Sequence, residues 1–185
     1  MPNAILDPTG TVTTSAAKQA APMAPRLASL QGKRVGLLIN TKTNARPFLE
    51  EVGRLLADRY DVTLTQRTKV NFAVTEPEDV IKELTAEADV VITGVGDCGS
   101  CSAAAAADGV VLEAAGVPVA AIITESFIPT ADAMAALRGA PGYKYATTAH
   151  PVAVLTEDKV KERAARVLDD VVALLVEAPG TVDEA

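Results

Sequence analysis

The chain has no tryptophan and only three phenylalanines and three tyrosines in 185 residues, so it offers no aromatic platform on which nucleobases would stack. Basic residues are also scarce: 17 Lys and Arg stand against 24 Asp and Glu, for a net charge of -7, which removes the electropositive footprint that nucleic-acid binding requires. No apolar run approaches the roughly 20 residues that cross a bilayer, and no charged stretch leads into an apolar signal core. The expectation is therefore a soluble cytoplasmic protein with neither nucleic acid nor membrane among its partners. Histidine occurs once, at His150, and cysteine twice, at Cys98 and Cys101, too few to complete a four-ligand zinc site without a carboxylate. In a reducing compartment the Cys-x-x-Cys spacing argues for redox, nucleophilic or metal chemistry before a structural disulfide.

Apolar residues are plentiful at 49%, ample for one core, and the length is that of one large domain. Residues 1–31, with Pro2, Pro8, Pro22 and Pro25 among Thr, Ser, Ala and Gly, read as an extended arm ordered only against the body or a second subunit. Residues 32–178 read as a single α/β domain and residues 179–185 as an acidic tail.

Within the domain, apolar runs alternate with amphipathic segments. Arg34 to Ile39 reads as a first buried strand, followed by a loop from Asn40 to Ala45 and a helix introduced by Pro47 with Phe48, Val52, Leu55 and Leu56 on one face. Asp61 to Gln66 reads as a second strand. Thr75 and Glu78 have the spacing of a capping box, with Pro77 in the first turn of a helix that runs to about Glu87. A third strand lies in the Val- and Ile-rich stretch after Ala88 and a fourth in Gly116 to Ile123. A short helix ends at Gly139, and Tyr143 to Thr148 reads as a final short strand. Thr156 then caps a long helix whose inner face is Val160, Ala164, Val167, Leu168, Val171 and Leu175. This alternation predicts a three-layer α/β fold, a parallel sheet of four to five strands covered on both faces, with the flavodoxin-like order 2-1-3-4-5.

Both cysteines fall where the third strand hands over to an alanine-rich helix. The unpaired amides and dipole of a helix start favour a thiolate over a thiol, so Cys98 is the candidate nucleophile and Cys101 the thiol that attacks it from the next turn. The competing reading is two small apolar cysteines buried at a strand end. The strand order brings the turns after strands one, three, four and five to one edge, and with them Lys42, Cys98, Cys101, Glu125 and His150. His150 is the candidate general acid or base, the alternative being an ordinary turn residue before Pro151.

Asp97, Gly99, Ser100, Lys42, Asn44, Glu125, Ser126 and Phe127 are the candidate substrate-binding residues. Asp97 would orient a substrate or shuttle a proton, or serve only as a turn residue. Lys42 would oppose the thiolate charge, or be an ordinary solvated lysine, and Phe127 would stack or simply pack. Gly99 would let backbone and substrate approach, and Ser100 or Ser102 would cap the helix. The pair Gly94 and Gly96 lacks the spacing of a dinucleotide fingerprint, so no cofactor and no resident metal are expected.

Gly-Asp-Cys-Gly-Ser-Cys-Ser after a Val-Ile strand, then Leu112, Glu113 and Gly116 to Val119, resembles the UGSC family, named for a selenocysteine-Gly-Ser-Cys motif. Lys33 to Val35 and the loop Asn40 to Ala45 resemble that family's opening strand and loop. More distantly, this region and His150-Pro151 resemble the selenoprotein B subunits of glycine, sarcosine and betaine reductases. The resemblance implies thiol or selenol chemistry, with Cys98 at the selenocysteine position and Cys101 at the following cysteine. Ala104 stands where the reductase subunits have a further cysteine.

Three functions follow as expectations. In the first, Cys98 attacks a small electrophile and Cys101 resolves the adduct in reductive C–X or C–S bond chemistry, with an external thiol or reductase as partner. In the second, Cys98, Cys101 and His150 hold a metal in a hydro-lyase or hydrolase. In the third, the chain is a non-catalytic or redox-sensing subunit. The apolar faces and the arm lead us to expect a homo-oligomer or a subunit of a hetero-oligomer.

Overall fold

A computed structural model describes residues 20–178. Five strands, β1 (Arg34–Ile39), β2 (Thr63–Thr68), β3 (Val90–Gly96), β4 (Val119–Thr124) and β5 (Ala146–Thr148), form one sheet in the order β2-β1-β3-β4-β5. Every neighbouring pair is parallel. The helices are α1 (Ala45–Tyr60), α2 (Glu78–Glu87), α3 (Gly99–Ala114), α4 (Ile128–Leu137) and α5 (Glu157–Leu175), with a single 3-10 turn over Glu125–Phe127 before α4. Right-handed crossovers explain the layers: the chain steps from β1 to β2 in one direction and from β2 through β3 and β4 to β5 in the other, so α1 covers one face and α2 to α4 the other, and α5, after the last strand, packs on the face of α1.

Side-chain alternation in β1 makes the division visible. Leu37 and Ile39 join Phe48, Val52, Val160, Val167 and Val171 in one core, whereas Leu38 joins Ile81, Leu84 and Leu112 on the opposite face. All six residues expected on the inner face of α5 are buried. The edge strand β2 is only half buried and begins at Thr63, because Asp61 adopts a left-handed φ of 52° that ends α1. The expected capping box does not form: Pro77 is the N-cap of α2, and Thr75 Oγ1 accepts from Arg138 Nη2 at 2.9 Å. Thr156 is the N-cap of α5 without a side-chain bond.

Residues 20–31 run along the body. Leu27 N donates to Leu175 O at 3.0 Å, and Leu30 is fully buried. The buried Glu113 carboxylate accepts from Ala24 N, Val119 N and Arg26 Nη1. The remainder of the expected arm and the tail at 179–185 lie outside the described residues. Among the described residues, no helix is long and apolar enough to cross a membrane.

The helix α3 is enclosed almost all round, which its run of alanines permits. At Gly109 a Cβ would collide with Tyr143 Oη, and at Gly96 it would stand 2.7 Å from Ser102 Oγ and 2.8 Å from Ile123 Cδ1. The second contact sets the site: only glycine lets the end of β3 lie this close to the first turn of α3.

Candidate functional site

The carboxyl ends of β3, β4 and β5 each end in a polar group, and these groups meet. Cys98 is the N-cap of α3, in extended conformation with φ -156° and ψ 167°, and its sulfur accepts from Cys101 N at 3.2 Å. The helix is therefore capped by the cysteine sulfur rather than by Ser100 or Ser102. Ser102 N donates to Cys98 O, and Ser102 Oγ is buried with no partner among the described residues. The Cys98 and Cys101 sulfurs are at disulfide distance, 1.98 Å apart. Cys98 is half-buried and Cys101 is 1% exposed, so Cys98 is the more accessible residue of the pair. Ser100 is exposed, with Oγ 3.6 Å from Cys98 Sγ. A Cβ at Gly99 would meet nothing within 4 Å, so space is open beside the residue that follows Cys98.

Asp97 turns away from the sulfur. Its carboxylate is 4% exposed and accepts from Val152 N and from Ala153 N at 2.8 Å, while Oδ1 lies 3.0 Å from His150 Nδ1. The same ring nitrogen lies 3.2 Å from Thr124 Oγ1, and that hydroxyl donates its only hydrogen to Gly96 O at 3.0 Å. Two acceptors thus face Nδ1, so in the neutral ring Nδ1 carries the hydrogen and Nε2 holds the free lone pair. Phe127 packs edge-on against the ring, with centroids 5.3 Å apart and planes at 77°. The carboxylate that stood beside the thiol in the sequence is compensated by two backbone amides and an imidazole N–H.

The loop carrying His150 is pinned from a second side. Asn44, left-handed at φ 66°, donates its side-chain amide to Val152 O and Leu155 O. Both amide hydrogens are thereby spent on backbone carbonyls. Lys42 places its ammonium 4.6 Å from the Phe72 ring centroid. Among the described residues, no hydrogen bond or ion pair joins it to the cysteine pair. Glu125 and Ser126 are exposed in the 3-10 turn after β4.

Two buried polar residues escaped the sequence reading. Thr124 ends β4 and touches His150, and Asn40 ends β1, donating to Val95 O at 2.7 Å and accepting from Lys42 N. Each closes an apolar strand with one buried polar side chain, which is the signal that would have found them. Among the described residues, no group of three or more His, Cys, Asp and Glu side chains is arranged to hold a metal ion. The arrangement places a cysteine pair at disulfide distance, with Cys98 its more accessible member, in the same turn cluster as a histidine oriented by Asp97.

A family model described as the UGSC family matches residues 4–177. No curated protein matches the chain. Among solved structures, one titled "The crystal structure of abc transporter permease from pseudomonas fluorescens group" is similar at 17% identity and a TM-score of 0.40, over 76% of this chain and 32% of that one. The chain thus spans about a third of that protein's length, and the likeness carries no argument about function.

Proposed function

The chain belongs to the UGSC family, and on that premise we propose that it is a thiol-dependent enzyme in which Cys98 is the nucleophile, Cys101 the resolving thiol and His150 the proton donor to the leaving group. One observation carries the reading: the two sulfurs pair across the first turn of α3, and Cys98 is half-buried where Cys101 is buried. The Cys101 amide is already directed at the Cys98 sulfur, and a helix start favours negative charge there.

For a substrate R–X the chemistry balances as follows. His150 Nε2 takes the proton of the Cys98 thiol, the thiolate displaces X to form Cys98–S–R, and the imidazolium returns that proton to X, which leaves as HX. Where R carries a carbonyl next to the carbon bonded to sulfur, the Cys101 thiolate then attacks the Cys98 sulfur, the S–R bond breaks with its electron pair leaving as the enolate of R, and the former Cys101 proton converts the enolate to R–H. Two thiols become one disulfide, R–X is reduced by two electrons, and an external dithiol restores the pair. Where R is bonded through sulfur, the same two steps release a thiol instead of R–H.

The test is the rate of alkylation of the reduced protein by iodoacetamide as a function of pH, with the modified residue located by mass spectrometry. Modification confined to Cys98, with an apparent pKa below the ~8.5 of a free thiol, is expected. Ordinary thiol behaviour would falsify the proposal.

A further inference from the structure

Between the ends of β4 and β5 and the flank of α5 lies a cavity of about 190 Å³, lined by Glu125, Thr147, Thr148, Ala149, Arg163 and Arg166. It adjoins the candidate site directly. Thr148 and Ala149 lead straight into His150, and Glu125 follows Thr124, whose hydroxyl faces the His150 ring.

Arg163 is the unusual member. It is half-buried, and its Nη1 donates to Ala149 O. Among the described residues, no carboxylate lies within 4 Å of its guanidinium, although Glu125 lines the same cavity and Glu162 precedes it in the helix. Glu162 pairs instead with Lys159 and Arg166. A guanidinium drawn partly out of water without a counter-charge keeps several unanswered N–H groups, and their planar fork matches the two oxygens of a carboxylate. In a chain of net charge -7, such a group bonded to the residue that precedes His150 is not a generic surface feature.

We propose that this cavity is the subsite for an anionic group, a carboxylate held by Arg163, so that the substrate is a small organic acid. The inference rests on the reading of Cys98 as nucleophile and adds the substrate class. Neighbouring strands are about 4.8 Å apart, so a carboxylate beside β5 and a sulfur beyond β3 lie up to about two strand spacings apart. The electrophilic atom therefore stands several bonds from the carboxylate, and the substrate crosses the end of β4, where His150 and Phe127 line its path.

Two probes of equal reach test this: N-iodoacetyl-γ-aminobutyrate and its neutral methyl ester, reacted with the reduced protein. The acid is expected to alkylate Cys98 about tenfold faster than the ester, the order of one charge-assisted contact, against the repulsion of the net negative charge. In Arg163→Gln, whose amide still reaches toward Ala149 O, the ratio falls to about one, and Arg163→Lys is intermediate. Equal rates for the two probes in the wild type, or a ratio that survives in Arg163→Gln, overturn the subsite. An ester that reacts no faster than an ordinary thiol refutes the nucleophile instead. Calorimetry with glutarate on the disulfide form needs no thiol reactivity: saturable binding weakened at least about fivefold in Arg163→Gln is expected, and no binding, or equal binding, overturns the subsite independently.

Discussion

Replacing Asp97 by Asn isolates what its charge does. The carboxylate receives two backbone amides, Val152 N and Ala153 N, and the His150 Nδ1 hydrogen, all from one loop, and is 4% exposed. Hydrogen bonds to a buried charged group contribute about 1.5–3 kcal/mol each. The amide of asparagine keeps one acceptor oxygen and turns its N–H₂ toward another donor, so roughly 2–3 kcal/mol of net loss is expected. For a domain of this size that lowers Tm by about 4–12 °C. The chemical consequence is separate. Without the carboxylate, nothing but Thr124 Oγ1 fixes the hydrogen on Nδ1, the other tautomer becomes populated, and Nε2 no longer presents a free lone pair. Any step that needs His150 is then expected to slow by about 10²–10⁴, the usual contribution of positioned acid–base catalysis. Thermal unfolding and the pH profile of turnover, compared with His150→Asn, check both parts. Asp97→Asn with wild-type Tm and a wild-type profile would refute the reasoning, and so would an Asp97→Asn, His150→Asn double variant whose rate losses simply multiply.

Gly96→Ala sets a Cβ against Ser102 Oγ and Ile123 Cδ1, so the unfolding free energy is expected to fall by about 1–3 kcal/mol, read from urea denaturation. Cys101→Ser leaves the Cys98–S–R adduct without a resolving thiol, so an adduct stable to mass spectrometry should accumulate on reaction with any true substrate. Lys69 pairs with Asp108 in the interior, where both side chains are nearly inaccessible. Lys69→Met alone is expected to cost about 3–5 kcal/mol, and Lys69→Met with both Asp108→Leu and Glu76→Gln less, because the combined change removes the two carboxylates that Lys69 faces. Burial holds the Asp108 carboxyl above the usual 3.8, and burial also raises Glu76 above 4.5. The folded state thus binds these protons more tightly than the unfolded chain. Their contribution to stability is present below about pH 4 and is lost as pH rises through the folded values. The surface carboxylates Glu51, Asp89 and Glu157, lowered by their Arg and Lys partners, act in the opposite sense.

Sheet order was legible because it follows from local signals. Three apolar runs, one half-buried edge strand and one short strand alternate with helices, and the handedness of crossovers leaves few ways to arrange them. Boundaries failed where one residue's conformation decided them. Asp61 was assigned to a strand, yet its left-handed φ ends α1 and delays β2 to Thr63. Thr75 and Glu78 had capping-box spacing, but Arg138 from the end of α4 takes the threonine hydroxyl, a contact across 63 positions. Cys98 and Cys101 were legible because their spacing is local to one helix turn. The partnership of Asp97 with the loop after β5 was not, since it spans 55 positions and depends on that loop folding back over β4.

The same distinction explains how charge is handled around the sulfur. A carboxylate next in sequence to a thiol raises the thiol's pKa if the two stay together, and Lys42 was the nearest cation that a linear reading offered against it. In the folded chain Asp97 is withdrawn into a cage of two amides and an imidazole N–H, and Lys42 is engaged with the Phe72 ring. Stabilisation of a Cys98 thiolate then falls to the Cys101 amide and the dipole of α3. Asp97 is therefore coupled to the placement of His150 and not to the sulfur. It follows that Asp97→Asn should perturb the apparent pKa of Cys98 far less than it perturbs proton transfer. A large fall in the Cys98 pKa on that substitution would mean that the carboxylate, despite its cage, still acts on the sulfur directly.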